Sequence, residues 1–225
     1  MSKSMPSTTQ PASAKRKRLN PAEREAMIVK EAIRFFAEIG FEGKTRELAS
    51  RIGITQPLLY RYFPSKESLI ERVYQEIYMQ RWNPDWDTLI PDRSRPLVER
   101  LIEFYQAYSH AVYDYEWVRI FLFSGLKSGE LNDRYLSLIR DKVLRPVCEE
   151  LRHMNKLPST DSIEIKEEEL ELAWGLHGMF FYRAVRHFAY NMPIVANTDQ
   201  AITNDVRLFL AGAPAVHKDI VERAR

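Results

Sequence analysis

Gln56, Leu58, Tyr60 and Arg61 fall within one six-residue window, in the run TQPLLYR. Their side chains suit the edges and backbone of a base-paired duplex. A Gln amide can pair twice with adenine, and an Arg guanidinium can pair twice with guanine or hold a phosphate. A Leu can touch the thymine methyl, and a Tyr hydroxyl commonly bonds a phosphate. Nearby lie the donors and cations Lys44, Thr45, Arg46, Thr55 and Lys66, with Pro57 inside the set. Lys66 adds a charge at a predicted helix N-terminus, where free backbone N–H groups already favour an anion.

These residues act together only if short, rigid elements present them. Asn20-Pro21-Ala22-Glu23 offers an N-cap, a Pro at the first helical position and an acid at the third. Ile28, Ala32, Phe35, Phe36 and Ile39 follow at helical spacing, and Gly40 stops the helix. Thr45 is a plausible N-cap for a second helix over 46–52 that buries Leu48, Ala49 and Ile52. Gly53 sits where a left-handed C-terminal cap is needed. Thr55 can cap a third helix whose first turn contains Pro57, where a missing N–H costs nothing. Leu59 faces inward, with Tyr62 or Phe63 closing the core. Pro64 ends the segment, and Ser65 caps a further helix. Two short helices joined by a three-residue turn containing Gly make a helix-turn-helix, whose second helix enters the major groove.

The segment TRELASRIGITQPLLYRYFPSKESLIERVY, residues 45–74, resembles the DNA-binding domain of the TetR family of bacterial transcriptional regulators. The resemblance rests on Thr45, Leu48-Ala49, the turn Gly53-Ile54-Thr55, Leu59-Tyr60-Arg61-Tyr62-Phe63, and Lys66-Glu67 followed by Leu69; it extends over about residues 21–74. It implies DNA contacts from Thr45, Arg46, Gln56, Leu58, Tyr60, Arg61 and Lys66. The loop Gly43-Lys44-Thr45 is one residue shorter than in many members, leaving both Lys44 and Thr45 as candidates for a phosphate. The resemblance also implies a C-terminal body that binds a small-molecule effector and forms a homodimer through its last two helices.

Charge distribution agrees with a polyanion partner. The net charge is only +2, but residues 1–66 hold 13 Lys or Arg against 6 Glu, leaving 20 basic and 25 acidic residues in the remainder. Residues 1–19 are rich in Ser, Thr, Pro and Lys and are expected to be disordered. Their run Lys15-Arg16-Lys17-Arg18 reads either as a phosphate-seeking arm or as a solvated tail. No apolar run approaches the ~20 residues of a membrane span, and no signal peptide is recognisable. A single cysteine, Cys148, excludes an internal disulfide and fits a reducing cytoplasm.

The body reads as all helix, with segments near 66–82, 97–113, 116–126, 131–153, 164–190 and 199–211. The expected fold is therefore all-α, with about nine helices. It comprises a three-helix reading domain over 20–66 and a helical bundle for ligand binding and dimerisation over 67–225. Phe104, Tyr108, Trp117, Phe121, Trp174, His177, Phe181 and Arg183 are candidate pocket residues, with Tyr182 a further polar group. Each aromatic alone reads more readily as core filling. Gly175 and Gly178, three apart, would admit a partner helix, and Phe188, Val206, Phe209 and Leu210 supply apolar surface for a dimer or for the monomer's own core.

Other chemistry finds little support. Cys148 and His153 are spaced i, i+5, poor for a shared metal, and no third ligand is near. Glu167-Glu168-Glu169 reads as a solvated first turn suited to the helix dipole. No phosphate-binding Gly loop and no catalytic triad or carboxylate pair stands out, so neither an enzyme nor a cofactor or metal is expected. The reading is a regulator that binds a palindromic double-stranded operator as a homodimer, without a membrane partner, and releases it for a small apolar or aromatic effector. A ligand-blind activator or structural DNA binder would share the same front end.

Overall fold

Asn20 opens the first helix as expected: its side chain accepts from the Glu23 N–H at 2.8 Å, and the Glu23 carboxylate accepts from the Asn20 N–H at 2.9 Å. The computed structural model describes residues 19–127 and 130–223. Lys15–Arg18, the cations of the expected arm, lie outside the described residues.

Helix α1 (Pro21–Ile39) ends at Gly40, whose φ is 77° and whose N–H donates to the Phe36 carbonyl. Helix α2 (Thr45–Ile52) packs on it, helix α3 (Gln56–Tyr62) packs on α2, and α4 (Lys66–Tyr74) returns to α1 and closes the domain. Ile28, Ala32, Phe36, Leu48, Leu59 and Leu69 are buried between them, so the apolar spacing builds the expected small core. A π-helical turn over Gln75–Met79 prolongs α4 and sends Ile77 and Tyr78 into the body.

The body holds a short α5 (Trp86–Leu89), then α6 (Leu97–Val112) and α7 (Tyr115–Lys127). Next come α8 (Glu130–Ile139), a π-helical turn over Arg140–Leu144, and α9 (Arg145–Met154), all one rod. The long α10 (Glu167–Phe188) and α11 (Thr198–Arg223) complete it. No strand occurs among the described residues. The sequence reading missed α5 and ended the last helix at 211. In fact α11 runs through Pro214, because Ala213, His217 and Val221 continue its buried stripe and the Asn155 amide donates to the Pro214 carbonyl at 2.7 Å. That packing outweighs the one helical hydrogen bond a proline forfeits.

Glu169 corrects the solvated-turn reading. It is fully buried, and Arg152 donates to its two carboxylate oxygens at 2.8 and 2.6 Å. The Lys166 N–H adds a bond at 2.9 Å, and His217 Nε2 lies 2.9 Å away. A second buried pair joins Arg100 to Glu150 at 2.9 Å. The first cluster sits where α9, α10 and α11 meet, and the second pair joins α6 to α9.

Side chains from the body also grip the first domain. Arg119 on α7 donates to the Ala37 and Glu38 carbonyls at the end of α1, at 2.6 and 3.3 Å. Arg134 on α8 pairs with Glu71 on α4 at 2.7 Å, and the Phe123 ring lies against Gly40, 3.0 Å from where a Cβ would stand.

Candidate nucleic-acid interface

The turn between α2 and α3 has the expected cap. Gly53 has φ 76° and ψ 34°, its N–H donates to Ser50, and the Ile54 N–H reaches back to Ala49. Thr55 caps α3 by accepting from the Leu58 N–H at 3.3 Å, and Ser65 caps α4 by accepting from the Ser68 N–H at 3.0 Å. Leu59 is buried beneath α3 and fixes its roll. That roll leaves Tyr60 and Arg61 exposed and Gln56 and Leu58 half-buried at the outer face, with Thr55 and Pro57 exposed at the N-terminal end. Lys44 and Arg46 stand exposed at the start of α2, and half-buried Lys66 at the start of α4. Among the described residues Lys44, Arg46, Arg61 and Lys66 enter no ion pair, whereas neighbouring Arg51 is clamped by Glu38 at 2.5 Å and Glu31 at 3.8 Å.

Thr45 is not a helix cap. It is the first residue of α2, Lys44 occupies the cap position, and no side chain caps that end. The Thr45 hydroxyl instead links two predicted readers: it accepts from Gln56 Nε2 at 3.0 Å and lies 3.0 Å from the Tyr60 hydroxyl. A chain of three polar side chains from α2 and α3 is thereby ordered on the outward surface. Thr45→Val keeps the shape and removes the link. One or two net hydrogen bonds are worth about 1 kcal/mol each, so the variant should bind its duplex ~10-fold more weakly with unchanged helical content. Fluorescence anisotropy with circular dichroism measures both, and affinity within two-fold of the parent would dismiss the link.

The expected pocket residues divide. Phe104, Tyr108, Trp117 and His177 are buried and packed ring against ring, with Trp117 and Phe121 stacked at 5.0 Å. Phe121, Phe181 and Trp174 are half-buried against the same core. Arg183 pairs with Asp205 and lines a cleft of about 260 Å³ between α6, α10 and α11. Ser109, His110, Tyr113, Phe180, Phe188 and Ile202 also line it; the sequence assigned Phe188 to the dimer interface.

The expected interface residues divide too. Gly175 and Gly178 face open space. Val206 and Phe209 are buried within the protomer and offer nothing to a second copy, while Phe188 and Leu210 are half-buried against the core. The apolar side chains left exposed on these helices are Met179 and Tyr182 on α10 and Leu208 and Val216 on α11. Helical phase explains the difference: at about 100° per residue, Leu208 lies roughly opposite Val206. Leu208, Gly212 and Val216 at four-residue spacing were the available signal.

Residues 28–73 match the family model described as bacterial regulatory proteins, tetR family. The tetracycline repressor protein class C of Escherichia coli is 39% identical over 54 residues, covering 24% of this chain and 24% of that protein. The match thus spans about a quarter of the curated relative's length. Two solved structures resemble nearly the whole chain in fold. A TetR-like transcriptional regulator from Rhodococcus sp. RHA1 superposes with a TM-score of 0.62 at 18% identity, over 87% of this chain and 100% of that one. A putative transcriptional regulator from Pseudomonas aeruginosa PAO1 superposes with a TM-score of 0.64 at 16% identity, over 90% and 96%. At these identities the likeness is one of fold.

Proposed function

We propose that this chain, whose residues 28–73 match the tetR family of bacterial regulatory proteins, is a homodimeric repressor of a palindromic operator, released by a small apolar or aromatic effector. The observation that carries this reading is the outer face of α3. Gln56, Leu58, Tyr60 and Arg61 lie on it, flanked by Lys44, Arg46 and Lys66, and none of these four cations is neutralised by a carboxylate among the described residues. A helix of seven residues cannot give useful affinity alone, so a second copy supplies the other half-site. Isologous pairing of α10 and α11 gives the two-fold symmetry a palindrome requires. Met179, Tyr182, Leu208 and Val216 provide the apolar contact, and Gly175, Gly178 and Gly212 let the backbones approach. The effector acts by favouring a conformer whose two α3 helices no longer match the groove; moving that equilibrium from 99:1 to 1:99 takes about 5.5 kcal/mol of differential binding.

Leu208→Asp combined with Val216→Asp tests the pairing. Sedimentation velocity should give a dimer for the parent and a monomer for the variant, and operator affinity should fall by about 100-fold or more as one half-site is lost. A variant that remains dimeric places the interface elsewhere.

A further inference from the structure

The body holds a concentration of buried polar atoms that no group among the described residues satisfies. Tyr78, Tyr105 and Tyr113 have hydroxyls without a hydrogen-bond partner, and Trp117 Nε1, His177 Nδ1 and Ser109 Oγ are likewise unpaired. The Tyr108 hydroxyl is taken by Tyr135 at 2.6 Å, and Tyr113, edge-on to Tyr108, has no hydrogen-bond partner for its hydroxyl among the described residues. The unpaired groups share one aromatic network. Tyr78 lies 5.4 Å from Trp117, Trp117 lies 5.3 Å from Tyr113, and Tyr108 lies 5.4 Å from Tyr113 and 5.5 Å from His177, ring centre to ring centre. Native interiors contain few such orphans, and each needs a reason.

Two of them reach an entrance. Ser109 and Tyr113 line the cleft between α6, α10 and α11, beside Phe180, which stacks on Tyr105 at 4.1 Å. The cleft, of about 260 Å³, exceeds the ~150 Å³ that accommodates benzene in a protein interior. We propose that the cleft and the aromatic network behind it form one effector chamber, which takes an uncharged, flat molecule bearing hydrogen-bond acceptors. This rests on the effector-responsive reading above and names the ligand class.

The chemistry follows from the lining. A Trp N–H can only donate, a Tyr or Ser hydroxyl can donate, and a neutral imidazole offers one donor. Burial pushes His177 down to about 4, so it is neutral at physiological pH, and burial holds the Tyr105 and Tyr113 hydroxyls protonated. At the rim Arg183 is already paired with Asp205, and His110 Nε2 lies 2.6 Å from the Asp199 carboxylate. An anion or cation would therefore lose its hydration without gaining a countercharge, whereas a carbonyl or ether oxygen would satisfy waiting donors. The walls also communicate with the reading head. Tyr78 lies on the π-helical turn that continues α4, and Trp117 lies on α7, whose Arg119 holds the end of α1.

The test compares acetophenone and coumarin with benzoate and benzylamine, on the parent and on Tyr105→Phe/Tyr113→Phe. Neutral probes at about 100 times Kd should raise the parent's Tm by about 5 °C or more, quench Trp fluorescence and weaken duplex binding. The charged probes should do none of these. The double variant, having shed two unpaired hydroxyls, should melt no lower than the parent, bind duplex equally and lose at least 10-fold in neutral-probe affinity. The chamber is refuted if neither neutral probe binds, if a charged probe binds as well, or if the variant keeps the parent's affinity. Benzoate releasing duplex from parent and variant alike would sink the chamber and leave the effector reading standing. Neutral probes that bind only the parent, without weakening its duplex, would do the reverse.

Discussion

Gln56→Ala/Arg61→Ala/Lys66→Ala should lose about 1,000-fold or more in operator affinity while melting within a few degrees of the parent. The loss follows from the kinds of contact assigned. A bidentate pair from Gln56 or Arg61 to a base edge is worth about 1–3 kcal/mol, and each factor of ten in affinity is about 1.4 kcal/mol. Both residues act twice in a dimer. Lys66 contributes through phosphate charge, so its removal should weaken all sequences alike and make the slope of log K against log salt shallower by about 0.9 for each phosphate released. The three side chains lie at or near the surface and none caps a helix, since Thr55 and Ser65 do that work. Stability should therefore hardly change. Anisotropy titrations at several salt concentrations separate the two kinds of contact; undiminished binding would mean that another surface holds the DNA.

Glu169→Ala should destabilise the body by about 3–5 kcal/mol, the usual cost of stranding a buried charge. At about 2–4 °C per kcal/mol for a chain of this size, Tm falls by roughly 10 °C. Arg152 would keep its charge in the interior, retaining only the Ile163 and Glu164 carbonyls and weak contacts to the Pro158–Ser159 loop. Replacing the whole cluster by apolar residues, Arg152→Met/Glu169→Leu/His217→Leu, should cost much less, because no unpaired charge remains.

Acid should act through the same cluster. Burial alone would raise the Glu169 pKa, but the Arg152 and Lys166 hydrogen bonds and the Arg152 and His217 charges bring it below the ordinary 4.5. A depressed carboxylate contributes its full stability above the unfolded value and loses it as pH falls through the folded one. His217 is also depressed, chiefly by burial, with the Glu169 charge opposing. The unfolded chain therefore gains protons first, and stability should begin to fall below pH 6.5 and fall further below 4.5. Urea titrations from pH 7 to 4 measure this, and Glu169→Ala should flatten the lower part of the curve.

The short-range features were legible in the sequence. Asn20, Gly53, Thr55 and Ser65 act within three or four residues of themselves, so their types and spacing suffice to place α1, α3 and α4. Thr45 was misread because its partners, Gln56 and Tyr60, lie across the turn on another helix. Glu169 was misread for the same reason on a larger scale. Its first-turn position is an ordinary place for a solvated acid, and only Arg152 and His217, 17 and 48 residues away in sequence, make it a core residue. The outward stripe of α11 was hidden by choosing Val206 and Phe209, the most apolar pair, rather than the phase that leaves Leu208 and Val216 exposed. The aromatics gave the body's core correctly but not its entrance, which depends on how α11 lies across α6 and α10.

The most direct measurement is selection of duplexes from a random-sequence pool by the purified protein, followed by sequencing of the bound fraction. Two reading heads related by a two-fold axis should enrich an inverted repeat, its half-sites one helical turn or a multiple apart, with Gln56→Ala altering the same position in both. Recovery of sequences without inverted symmetry, or no enrichment at all at low salt, would contradict the account.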